Sequence, residues 1–223
     1  FLVAREAYST AILAPLFIVM SLLYGTAVYY LILRLISKFH DTYITTDILD
    51  NLKKLSVMFL FANLYFLGLY HVTNMYIAKH LDFEIFILSS GGIYTISFWV
   101  GQVFIGIILP IIILSSNKLC THLALTISSI LILIGSFIAM YVIIIGGQAY
   151  PLTIFPDHII IDSSFFDNVV HSYIPSVYEF GLGIGGIALA LIIVLVGIAN
   201  FKFLPTMISS LHKKEAAEKS SDS

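Results

Sequence analysis

The sequence predicts an all-α integral membrane protein, a bundle of about five transmembrane helices, and three observations predict it. Of its 223 residues 59% are hydrophobic and only 11% charged, against about 25% charged residues in an ordinary soluble domain. Apolar runs long enough to cross a hydrocarbon core of about 30 Å recur along the chain. Those runs are apolar nearly all round, whereas a transmembrane β-barrel needs short segments of alternating polarity. Lipid is therefore the expected surrounding, and nucleic acid is not an expected partner.

The first span is expected near residues 10–35. The chain opens on Phe1 rather than Met, without a basic leader and cleavage site before that span, so it is expected to be part of a longer protein. The second span is expected near 52–78. There Asn63, Tyr70 and Asn74 are spaced by seven and four residues, which keeps them within about 40° of one stripe that should face other helices. An interhelical hydrogen bond is the expectation for Asn63. His71 lies about 80° round from Asn63, at the edge of that face and in the outer half of the helix. Its imidazole, with an ordinary pKa near 6.5, suits a proton carrier, but an interface histidine can also be held by a plain hydrogen bond.

The third span is expected near 91–114. Trp99, Gln102, Gly106 and Pro110 recur in it at three and four residues, predicting a stripe of polar and small groups. Gly106 and Pro110 suit close packing or a kink, and Gln102 is the member able to touch a polar ligand. The fourth span, near 119–145, offers Ser128, Ser129 and Ser136 as polar lining. At its start lies Cys120, the single cysteine, which excludes an internal disulfide or an iron–sulfur cluster held by this chain alone.

The fifth span is expected near 180–204. Gly181, Gly183 and Gly186 satisfy G-x-G-x-x-G, yet no strand precedes them, so a dinucleotide site has nothing to be built on. Gly181 and Gly185 form a small-xxx-small pair expected at a close helix contact. Glu179, at the helix start, reads either as a dipole-stabilised cap or as a proton relay. Residues 1–205 are thus one transmembrane domain, and 206–223 form a polar tail.

Basic residues set the orientation. Arg34, Lys38, Lys53, Lys54, Lys118, Lys202, Lys213, Lys214 and Lys219 fall on one side of the five spans, Arg5 and Lys79 on the other. The first side is expected to be the cytoplasm, with the C-terminus inside and the loops 79–90 and 146–179 outside. The longer loop carries no Lys or Arg and many aromatics, which suits the membrane interface or a partner surface. His71 and His122 lie toward opposite faces and cannot ligate one haem iron between them.

Polar groups at membrane depth are costly, which makes them functional candidates. His71, Asn74, Glu84, Gln148 and Glu179 all fall near the outer boundary.

The segments REAYSTAILAPLFIVMSLLYGTA, GGIYTISFWVGQVFIGIILP and SYIPSVYEFGLGIGGIALA, followed by Pro205, resemble the NrfD/PsrC family. These are the multi-span membrane subunits of polysulfide reductase and of HybB- and DsrP-type complexes. The resemblance runs from Arg5 to about Pro205 and implies a fragment of a subunit of about eight to ten helices. It also implies a prokaryotic plasma-membrane protein without haem or iron–sulfur cluster of its own. Such a subunit exchanges electrons between quinone or menaquinone and an extracytoplasmic ferredoxin-like iron–sulfur subunit, which in turn serves a catalytic redox subunit. Quinone chemistry at the outer face must take up or release protons. His71 and Glu179 are then expected to relay them, Asn74 and Gln148 to orient them or water, and Glu84 to mark the exit. The alternatives are an ion or solute transporter using the Asn63 to Asn74 stripe with Gln102, and a non-catalytic membrane anchor.

Overall fold

A computed structural model describes residues 6–39, 44–116, 121–151 and 176–200. The regular structure among the described residues is helical, and five helices are long and apolar enough to cross a membrane. They are α1 (Leu13–Phe39), α2 (Thr46–Tyr76), α4 (Ile93–Ser115), α5 (Thr121–Ala149) and α6 (Val177–Asn200), with a short α3 (Leu81–Ile85) between α2 and α4. Helix α6 belongs to a separate unit of the chain.

Helix α2 buries Leu49, Leu52, Ser56, Leu60, Asn63, Leu67, Tyr70 and Asn74, three or four residues apart throughout. This is the stripe on which Asn63, Tyr70 and Asn74 were expected. Met58, Phe61, Tyr65 and Val72 form the exposed face opposite it, apolar as lipid contact requires. The helix begins six residues ahead of the expected position 52, because Leu49 and Leu52 carry the buried stripe through its polar first turns.

On α1 the buried positions are Leu13, Leu16, Met20, Leu23, Ala27 and Tyr30, again at steps of three and four. Tyr30 Oη donates to the His122 carbonyl at 2.8 Å, and Arg34 Nη1 donates to Thr126 Oγ1 at 2.6 Å. These bonds tie the end of α1 to the start of α5. In an apolar surrounding each such interhelical bond contributes about 0.6–2 kcal/mol.

The most extensive contact in the bundle joins α4 to α5, and two glycines make it. A Cβ built on Gly106 would stand 2.9 Å from Gly135 Cα, closer than real side chains come, so the backbones touch where both lack one. The close approach expected of Gly181 and Gly185 concerns α6; the one found lies at Gly106 and Gly135.

The expected stripe of α4 needs one correction. Gln102, Gly106 and Pro110 are buried, but Trp99 is 51% exposed, with its indole N–H bonded to the Leu88 carbonyl at 3.0 Å. Residues Ser97–Ile108 are π-helical, so each turns through less than the 100° of an α-helix. A four-residue step then stays on one face, while the three-residue step from Trp99 to Gln102 falls further short of a full turn.

The stretch 79–90, expected as a loop, is helical. A 3₁₀ turn Ala78–His80 leads into α3, which runs on as a π-helical turn Phe86–Ser90. Phe83, Phe86 and Ile87 are buried, and that apolar face folds the segment inward. Gly92, with φ of 57°, then lets the chain reverse into α4. Thr95 fastens the reversal, accepting from the Gly91 N–H at 3.0 Å and donating to the Phe86 carbonyl at 3.1 Å. The tail from 206, Cys120 and residues 152–175 of the long loop before α6 lie outside the described residues.

Candidate functional site

Glu84 is buried completely, and both carboxylate oxygens are engaged. His71 Nδ1 stands 2.6 Å from Oε2, and Asn74 Nδ2 donates to Oε1 at 2.8 Å. His71 and Asn74 sit three residues apart near the end of α2, so both face the inward fold of α3 that delivers Glu84. With the carboxylate ionised it can only accept, so His71 Nδ1–H donates and Nε2 is left as the basic nitrogen of that ring.

The network continues toward the first described residues of the chain. Asn74 Oδ1 lies 3.4 Å from His80 Nδ1, and His80 Nε2 lies 2.7 Å from Ser9 Oγ. One set of proton positions satisfies every link: Ser9 donates to His80, His80 to Asn74, and Asn74 and His71 to Glu84. That set requires a neutral His80. Burial, with the Lys79 ammonium beside it, indeed holds the His80 imidazole below its ordinary 6.5, against the opposing pull of Glu84.

His71 also borders a cleft. It lines a small, partly open and mostly apolar crevice of about 20 Å³ together with Leu67, Tyr70, Phe98 and Gln102. Its ring meets Phe98 edge to face at 4.7 Å between centroids, and Tyr70 at 5.0 Å. Tyr70 Oη donates to the Ala7 carbonyl at 2.7 Å, and Tyr8 Oη to the Ile143 carbonyl at 2.9 Å. With the Ser9 bond, three consecutive residues of the first resemblance segment therefore stopper this end of the bundle.

Of the sequence-predicted site residues, His71, Asn74 and Glu84 meet in one cluster. Gln102 is buried beside the cleft, and Gly106 and Pro110 serve packing. Gln148 is exposed near the end of α5 and is not one of the groups on the Glu84 carboxylate. Glu179 caps its own helix: Ser176 N–H donates to its Oε2 at 2.6 Å and its N–H to Ser176 Oγ at 3.4 Å, a reciprocal capping box.

Segments of this chain match the family profile described as polysulphide reductase, NrfD, over residues 1–151. The chain belongs to the NrfD family. All of the Glu84 cluster and the FWVGQ segment fall inside the NrfD match, whereas the YIPSVYE segment lies beyond it. The chain is also 28% identical over 208 residues to the Hdr-like menaquinol oxidoreductase integral membrane subunit of Archaeoglobus fulgidus. That alignment covers 92% of this chain and 52% of the relative, so the chain spans about half the length of the curated protein it matches. No solved structure matches it.

Two members of the NrfD cluster, His80 and Ser9, were not anticipated. His80 had a signal: His80, Phe83, Glu84 and Ile87 follow i, i+3, i+4, i+7, the mark of one helix face. Taking 79–90 as a loop hid it. Ser9 had none, since nothing local connects it to a residue 71 positions away.

Proposed function

We propose that this chain is a quinone-interacting membrane subunit of a respiratory redox complex. It passes electrons between the quinone pool, menaquinone included, and an extracytoplasmic iron–sulfur subunit that serves a catalytic redox subunit. The buried His71–Glu84 pair beside the cleft is the observation that carries this reading. Oxidation of a quinol releases two protons with its two electrons, and an acceptor of the right kind must stand close. His71, donating through Nδ1 to a carboxylate, offers Nε2 for that purpose. Glu84 stabilises the imidazolium that forms, and Asn74, held in turn by His80 and Ser9, fixes that carboxylate in place.

The orientation belongs to the same reading. Arg34, Lys53 and Lys54 stand at the end of the bundle opposite to the Glu84 cluster, and the excess of basic residues there supports a cytoplasmic assignment, with the C-terminus inside. Glu179 keeps the capping role of the two weighed for it. Membership of the NrfD family and the similarity to a menaquinol oxidoreductase subunit support the substrate class.

The experiment is binding of a quinone analogue to the purified complex, followed by fluorescence quenching. The proposal expects saturable binding that menaquinone displaces. A complex that assembles and binds no analogue would leave the subunit a plain anchor.

A further inference from the structure

Three buried polar atoms have no hydrogen-bond partner among the described residues: Asn63 Oδ1, Gln102 Oε1 and Ser128 Oγ. They belong to three different helices, α2, α4 and α5, which pack on one another. Buried polar groups are almost always satisfied, by protein or by water. Three orphans in one bundle therefore ask where each stands in depth.

Packed pairs answer that. His71 meets Phe98, and Gly106 meets Gly135, so antiparallel neighbours can be levelled at about 1.5 Å per residue. Gln102, four residues inward of Phe98, comes level with Leu67, about 6 Å below His71; both residues line the same cleft, in agreement. Asn63, four residues further along α2, comes level with the Gly106–Gly135 crossing, about 6 Å lower again. Ser128 lies seven residues inward of Gly135, and Ser56, also buried, lies seven inward of Asn63, both about 10 Å lower. The orphans are thus stacked along the bundle, from the Glu84 cluster toward the end that carries Arg34. Each step is a distance that one to three waters span, and the uppermost space, between His71 and Gln102, has room for about one water.

We propose that Asn63, Gln102 and Ser128 hold a file of internal water that joins the His71–Glu84 pair to the Arg34 side of the bundle, giving the subunit a proton path through the membrane. This rests on the quinone-linked reading above and extends it, since that reading needs only exchange at the outer face. Along the file each hop forms one O–H bond and breaks another, so a proton crosses with no change in electrons. At its top the proton is exchanged between His71 Nε2 and the first water, one N–H bond traded for one O–H bond, while Nδ1–H stays bonded to the Glu84 carboxylate.

The test uses the assembled complex in proteoliposomes, with a pH dye on the Arg34 side and quinol turnover read in parallel. Wild type is expected to change the pH on that side during turnover. Asn63→Leu and Ser128→Ala, which replace orphans by apolar groups, should keep turnover within about twofold and lose most of that pH change. An unchanged proton signal in both variants, or none in wild type during turnover, overturns the proposal. Should Asn63→Leu fail to assemble, Ser128→Ala alone decides, together with infrared difference spectra of wild type in H₂O and D₂O. Weakly bonded internal-water bands that Ser128→Ala diminishes support the file; their absence from wild type overturns it. A wild-type complex without quinol turnover would refute the functional reading instead, while the water bands still test the file.

Discussion

Glu84 is the residue on which most depends, because its carboxylate satisfies two side chains at once in a site closed to solvent. Glu84→Gln keeps the shape and one acceptor oxygen, whereas Glu84→Ala strands His71 and Asn74. The alanine variant should lose about 2–4 kcal/mol in a denaturant titration of the detergent-solubilised protein, and glutamine less than half of that. Equal losses would mean that the cluster is not a hydrogen-bonded unit. His80 adds a pH dependence. Its folded pKa is lowered, so between that value and 6.5 the unfolded chain binds more protons than the folded one. The stability of the neutral network is therefore present above 6.5 and lost as pH falls through that window. Thermal melts from pH 7.5 to 5 should decline in wild type and flatten in His80→Gln; Lys79 and Glu84 are the charged groups acting on that imidazole.

At the scale of elements, the glycines divide into two kinds that sequence alone does not separate. Gly135 and Gly106 face backbone, so a methyl on either must push α4 and α5 apart, while Gly68 and Gly25 have open space where a Cβ would go. Gly135→Ala should cost about 1–3 kcal/mol. Gly68→Ala should be neutral or slightly stabilising through helix propensity. Matched melts of the two variants check this, and similar losses in both would contradict the crossing. The stripe of α2 was legible because an α-helix turns a fixed 100° per residue, and Asn63, Tyr70 and Asn74 fell where that angle puts them. Trp99 escaped because π-helical geometry alters the angle, and nothing in FWVGQ announces it. The fold of α3 was missed for another reason: a short amphipathic segment between two spans reads as a loop until its apolar face is seen to have a surface to cover.

Across the whole molecule, composition alone decided the membrane class, since burying that much apolar surface in water has no globular solution at this charge content. The resemblance of three segments pointed to the NrfD family, and the match over residues 1–151 places the chain in it. What composition and pattern could not reach is the convergence of His71, Asn74, Glu84, His80 and Ser9, because it depends on α3 turning inward and on the first residues folding over the bundle end. That convergence joins His71, Asn74 and Glu84, each a candidate in the sequence, to His80 and Ser9 in one chain of protonatable and hydrogen-bonding groups. The central claim is that this chain serves quinone chemistry, and the most direct measurement is quinol-linked turnover of the assembled complex carrying His71→Gln, with assembly checked by co-purification. Turnover should fall by at least about tenfold, as loss of a general base requires, while the partner subunits remain bound; turnover equal to wild type in an intact complex would contradict the account.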